Sequence, residues 1–257
     1  MMRTPSSLRD AKSRGERLAA LTAYDYPMGR LLDEAGIDVI LVGDSLGMVV
    51  LGYPDTTSVT VADMVHHTRA VARGVQHALL VADLPARSYE TPEAALENAR
   101  RLVDAGARAV KLEGGAGRRA QIAALAAADI PVMGHIGMLP QQVREEHGYK
   151  IKGRSDEEIA ALLADARAVA DAGAFAVVLE IVAAPAARQI TAALDIPTIG
   201  IGSGAGCDGQ ILVTPDLLGL FPWFRPKFVT PHAQLAGTIR EAVAAYIRDT
   251  ITGGETD

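Results

Sequence analysis

The sequence predicts an α/β fold, a single (β/α)8 barrel, and three observations lead there. Short runs of β-branched and apolar residues alternate along the chain with longer segments of helical period, as in repeated βαβ units around a parallel sheet. The segments LLDEAGIDVILVGD, LVDAGARAVKLEGG and AVADAGAFAVVLEIV repeat one plan: a helix closed by Ala-Gly, a short link, an apolar strand, then an acid. A length of 257 residues, 49% of them hydrophobic, matches one barrel better than two half-size domains.

Taken in order, residues 1–17 read as an N-terminal arm or helix, and strand signals fall at 18–24, 38–44, 78–84, 109–113, 132–136, 176–181, 198–201 and 210–213. The helix over 61–74 starts after Thr60 as N-cap. That over 92–105 has Thr91 as cap and Pro92 at its first position, where a missing N–H costs nothing. Residues 134–155, rich in Gly, His and charge, predict an extended loop over the strand ends. A last helix over 234–248 completes a TIM barrel spanning 1–257, with 250–257 read as a disordered tail. A doubly wound open sheet shares this local pattern, because sequence does not report closure.

Composition excludes several function classes. A net charge of −6 argues against a nucleic-acid scaffold, which concentrates Lys and Arg against phosphates, and in favour of a small-molecule partner. Cys207 is the only cysteine, so no intramolecular disulfide and no thiolate metal cluster can form, which fits a cytoplasmic location. The first ten residues lack the apolar core of a signal peptide, and the richest apolar stretch, 172–187, is interrupted by Glu180 and Pro185. The expectation is a soluble protein with no membrane partner.

In parallel α/β folds the chemistry lies at the C-terminal ends of the strands, where a carboxylate is tolerated only if paired, hydrated or bound to a metal. Asp44 ends DVILVGD, Asp83 follows ALLVA, Glu113 ends AVKLE and Glu180 sits within AVVLEIV. A single such acid is accounted for by capping the next helix. Four together are not, because each is desolvated and repels the others unless a cation compensates. Lys111 and Glu113, two apart on a strand, share a face and point into the same site, with Val110 and Leu112 turned toward the helices. Oxygen ligands without cysteine or a paired-His motif suit Mg²⁺ better than zinc, although His135 could still approach. The run GIGSGAG is a weak match to a phosphate cradle, because CDGQILV after it reads as turn and strand and not as helix. His66 and His67 fall on an outer helix and read as solvated or satisfied.

The motifs LTAYDYPMGRLLDEAGIDVILVGDSLGMVVLGY, VADLP, VKLEGG, GHIGMLPQ, VVLEIV and PTIGIGSG…DGQILV, in that order, resemble the ketopantoate hydroxymethyltransferase family over residues 18–227. The resemblance implies a TIM barrel, Mg²⁺, a homo-oligomer that is typically a decamer, and 5,10-methylenetetrahydrofolate as co-substrate. The implied reaction transfers a hydroxymethyl group to 3-methyl-2-oxobutanoate, giving 2-dehydropantoate for pantothenate and coenzyme A biosynthesis through a Mg-stabilised enolate. Carried over by match, Asp44, Asp83 and Glu113 correspond to metal ligands or their water-bridged partners, with Asp44, Ser45, Asp83, Lys111 and His135 in contact with the 2-keto acid. Glu180 corresponds to the base that removes the C3 proton, a role worth ~10²–10⁴-fold for a positioned carboxylate.

The chain departs from the family pattern at Thr57, Ser58, Ala86, Leu139, Gln142 and His147; Ala86 replaces a usual Phe, and Leu139, Gln142 and His147 stand where Thr, Ser and Gly are common. A paralogue acting on a larger 2-keto acid or another aldehyde donor is therefore an alternative. Others are a C–C or P–C lyase of the isocitrate lyase/phosphoenolpyruvate mutase type, a Schiff-base aldolase using Lys111, and a silent scaffold. The lyases' KKCGH-type loop is missing, Glu113 beside Lys111 favours a protonated ammonium, and a scaffold predicts lost acids that are all present.

Overall fold

Eight short strands hydrogen-bond in sequence order into a closed parallel barrel in the computed structural model, which describes residues 2–252. The strands are β1 Leu18–Thr22, β2 Val39–Val42, β3 Leu79–Asp83, β4 Ala109–Lys111, β5 Val132–Gly137, β6 Ala176–Glu180, β7 Thr198–Ile201 and β8 Gly209–Leu212. The helices before β6 are α1 Pro5–Ser13, α2 Tyr26–Glu34, α3 Leu46–Val49, α4 Val61–Ala72, α5 Pro92–Asp104, α6 Arg119–Ala127 and α7 Asp156–Asp171. After it come α8 Ala184–Ala193, α9 Thr214–Leu217 and α10 Leu235–Thr252. Closure settles the choice between barrel and open sheet.

Alternation along each strand divides the core in two. Val39, Leu41, Leu79, Val81, Met133 and Val178 fill the barrel, while Ile40, Val42, Leu80, Val110 and Leu112 join Val71, Leu102, Ile122 and Val169 of the surrounding helices. Thr60 Oγ1 accepts from the Asp63 N–H and Thr91 Oγ1 from the Ala94 N–H, as their sequence positions predict. The Ala-Gly closures place Gly36, Gly106 and Gly173 at φ +84°, +110° and +104°, a left-handed conformation that excludes most side chains, so all three repeats end their helices alike.

The N-terminal segment seals the end of the barrel where the strands begin. Thr4 caps α1 in a capping box, and Leu8 and Ala11 of α1 are buried against the barrel-filling residues. Arg9 donates to Ala174 O, Lys12 to Thr191 O in the last turn of α8 and to Ile196 O, and Arg3 pairs with Asp38; Ala174, Ile196 and Asp38 lie just before strands.

The described residues sort into two compact units, residues 2–211 and residues 212–252. In the second unit α10 matches the expected last helix but has no buried residue. Thr250–Thr252 continue that helix in place of the expected disordered tail, and residues 253–257 lie outside the described residues.

Candidate active site

The opposite end of the barrel, where the strands finish, collects the acids. Gly43 makes this possible: a Cβ there would lie 2.8 Å from Ser45 Oγ and 3.5 Å from Asp83 Oδ2. Without a side chain the turn after β2 closes up, and the Asp44 N–H donates to Asp83 Oδ2 at 3.0 Å. Ser45 then presents its hydroxyl to Tyr24 Oη at 2.8 Å. Asp83 and Lys111 are register partners at the ends of β3 and β4, and their side chains pair at 2.8 Å. Glu113, two residues beyond Lys111, returns to the same face, and Glu180 ends β6 opposite Gly137. Asp44, Asp83, Lys111, Glu113 and His135 are buried, and the Glu180 side chain is 13% exposed.

His135 is committed at both nitrogens. Met138 O, 3.0 Å from Nε2, can only accept, so Nε2 carries the proton and Nδ1 accepts from Lys111 Nζ at 3.3 Å. Burial, reinforced by the neighbouring ammonium, holds its pKa well below the ordinary imidazole value. It is therefore neutral, and its approaches to Glu113 at 3.8 Å and Glu180 at 3.4 Å are not ion pairs.

The carboxylates are pushed the other way. Burial, and after it the charge of Asp83, raises Asp44 to about 7 against the opposing pull of Lys111. Glu180 rises to about 8 through burial, with repulsion from Asp44 and Asp83 resisting the pull of Lys111. Burial also raises Asp83, and burial with repulsion from Asp44 lifts Glu113 well above the ordinary carboxylate range. Lys111 is favoured as ammonium: burial opposes its charge, but Asp83, Glu113 and Asp44 outweigh it. The main partner of Lys111 is Asp83 and not the Glu113 expected from adjacency, and a protonated amine disfavours the Schiff-base reading.

Four carboxyl groups thus face one ammonium with no other cation in contact among the described residues. Among those residues no three His, Cys, Asp or Glu side chains converge into a ready-made metal cage. Mg²⁺ does not require one, since it keeps several waters and takes one or two carboxylates plus substrate oxygens. The surplus charge and the oxygen donors of Asp44, Asp83 and Glu113 fit that ion.

Two site residues escaped the sequence reading. Gln141, in the loop after β5, and Tyr89, in the loop after β3, bond to each other and to the acids; Gln141 lies in the quoted GHIGMLPQ motif, but loops carry no periodicity that would mark it as buried. Ala86 and Gln142 line a cleft of about 170 Å³ together with Tyr89, Arg118 and Gln141. Thr57 donates to Asp55, whose carboxylate receives a two-pronged contact from Arg144, tying the loops after β2 and β5 together. Ser58 is exposed beside it and Leu139 is half-buried at the start of the β5 loop. His147 adopts φ +55°, a left-handed conformation that favours glycine. The glycine run leads into β8 and not into a helix, and its Ser203 Oγ donates to Leu179 O and accepts from the Val182 N–H. His67 bonds to Tyr24 O on the outer layer, and neither His66 nor His67 enters the site.

The chain matches the ketopantoate hydroxymethyltransferase family over residues 3–254. It belongs to that family. It is 52% identical to 3-methyl-2-oxobutanoate hydroxymethyltransferase of Syntrophus aciditrophicus (strain SB), covering 97% of this chain and 93% of the relative. It is 54% identical to the enzyme of that name from Nitratidesulfovibrio vulgaris (strain DP4), covering 97% and 82%. Among solved structures, phosphonopyruvate hydrolase with oxalate and Mg²⁺ superposes with TM-score 0.67 at 17% identity, covering 97% of this chain and 88% of that one. A 2,3-dimethylmalate lyase of the PEP mutase/isocitrate lyase superfamily gives 0.66 at 22%, covering 100% and 92%. These two likenesses show the barrel fold alone, whereas the sequence relatives place this family member with the hydroxymethyltransferases and not the lyases.

Proposed function

We propose that this family member transfers a hydroxymethyl group from 5,10-methylenetetrahydrofolate to 3-methyl-2-oxobutanoate, with Mg²⁺ at Asp44, Asp83 and Glu113. The observation that carries the reading is the surplus of buried carboxylates over Lys111, in a chain more than half identical to relatives of that name. When bound, Mg²⁺ supplies Lewis acidity that makes the C3 proton of the keto acid removable by a carboxylate.

The protein's own groups do the rest. Lys111, held by Asp83 and His135, stays cationic and faces the substrate carboxylate, while Ser45 is oriented by Tyr24 to donate to it. Glu180, partly exposed and poised at about 8, takes the C3 proton. Water adds to the methylene carbon and both carbon–nitrogen bonds to the carrier break as its two nitrogens take up the water's protons; C3 bonds to the freed one-carbon unit, whose oxygen takes the proton from Glu180, and tetrahydrofolate and 2-dehydropantoate leave.

Self-association belongs to the same reading. Ile239, Val243, Tyr246, Ile247 and Ile251 form an apolar stripe along α10, each at least 49% exposed, which a second copy would cover. No helix among the described residues is long and apolar enough to cross a membrane. Product formation from the two named substrates, assayed with and without chelator, tests the proposal: the expected outcome is activity lost to EDTA and restored by Mg²⁺. Full activity without metal, or clear preference for a bulkier 2-keto acid, would overturn it.

A further inference from the structure

Gln141 makes contacts that the roles of the acids leave unexplained. It lies in the single 3₁₀ turn Pro140–Gln142 of the loop between β5 and α7, yet it is only 8% exposed. A buried primary amide must place two donor hydrogens and an acceptor. Its Nε2 donates to Asp44 Oδ2 at 2.8 Å and to Leu84 O at 3.0 Å, and its backbone N–H donates to Glu113 Oε2 at 3.0 Å. Its Oε1 accepts from the Tyr89 hydroxyl at 2.5 Å, and that hydroxyl accepts from the Glu113 N–H at 3.3 Å. Leu84 O can only accept, so the amide has one orientation, with its remaining hydrogen on Asp44.

We propose that Gln141 is a positioning residue that sets Asp44 and Glu113 for a divalent cation, an inference that rests on the Mg²⁺ reading above. Asp44 and Glu113 come from different strands and repel one another, and left to themselves their carboxylates would turn apart. One residue donates to an oxygen of each and fixes both orientations. Tyr89 prevents the amide from rotating, because a flipped amide would set Oε1 against Asp44 and Nε2 against no acceptor other than the hydroxyl. Gln141 arrives on a loop and not on a strand, so the position of that loop sets both carboxylates. The Arg144–Asp55 contact three residues on holds the loop in this position.

Binding of Mn²⁺ to the full chain without substrate, followed by electron paramagnetic resonance, tests this. Gln141→Met keeps the side-chain length and the backbone donor but removes the amide. The expected result is Mn²⁺ affinity lower by about 10–100-fold, the usual cost of losing a hydrogen bond to a ligating carboxylate, beside a lower thermal midpoint of the metal-free protein from the buried partners left unpaired. A merely structural role would lower the midpoint while leaving the Mn²⁺ affinity of the folded protein at the wild-type value, and would overturn the inference. Wild-type protein that takes up no Mn²⁺ would remove the cation reading and the inference with it, before any substitution is made. If Gln141→Met does not fold, Tyr89→Phe decides: releasing the amide is expected to weaken Mn²⁺ binding several-fold, and unchanged affinity would overturn the proposal.

Discussion

The two ends of the barrel treat the same residue types in opposite ways. Where the strands begin, three acids have donors of their own: Asp38 has Arg3, Asp208 has Lys12, and Asp33 accepts from the backbone N–H groups of Gln76, His77 and Ala78. Burial would raise Asp33, but those three donors overcome it and hold the carboxyl below its ordinary value. Where the strands end, Asp44, Asp83, Glu113 and Glu180 compete for Lys111, and all four rise. The first end is built to be stable as it stands. The second is left short of positive charge, which marks it as the end that binds something.

The largest effect expected of that contrast is catalytic. Glu180→Gln should lower kcat by about 10²–10⁴-fold, measured by product formation, while the folded protein survives, because an uncharged amide replaces a carboxylate that burial disfavours. Next comes Lys111→Met, which leaves buried acids uncompensated and should cost about 3–5 kcal/mol in urea denaturation. The matching change at the other end, Lys12→Met, removes an ammonium bonded to Asp208 and two carbonyls and should cost about 1–3 kcal/mol without touching activity. Equal costs for the two lysines would erase the contrast.

Asp33→Asn should destabilise by about 1.5–3 kcal/mol, again with kcat unchanged. The folded-state pKa of Asp33 is lowered, so its stabilisation is present above the unfolded carboxylate value and lost as pH falls through the folded one; the mutant should lack that acid loss. The smallest effect lies in the loop after β5. His147→Gly should raise stability by at most about 1 kcal/mol by relieving a left-handed backbone, offset in part by glycine's greater freedom when unfolded.

Much of this was legible in the chain before the structure. Apolar runs place all eight strands, although they end up to two residues early where ladder pairing stops, as at Lys111, where β4 finishes before Glu113. Asp44, Asp83, Glu113 and Glu180 stood out because an acid ending an apolar strand needs a reason. What sequence did not carry is what depends on register and on loops. Lys111 turns to Asp83 because neighbouring strands bring those two to one height, a relation that spacing within one strand does not contain. Gln141 and Tyr89 sit in segments without period, so nothing in the letters distinguishes a buried glutamine from an exposed one. The role of α1 as a seal depends on long-range contacts from Leu8, Arg9 and Lys12 that follow only from closure.

The most direct test of the charge imbalance is the thermal midpoint of the protein across pH 5 to 9, with and without Mg²⁺. Asp44 at about 7, Glu180 at about 8 and a strongly raised Glu113 hold protons in the folded state that the unfolded chain releases near 4, so metal-free stability should fall as pH rises through this window. Mg²⁺ should restore it, more at pH 8 than at pH 5, because the cation competes with those protons. A midpoint that does not fall with pH in the metal-free protein, or that Mg²⁺ leaves unchanged at every pH, would contradict the account.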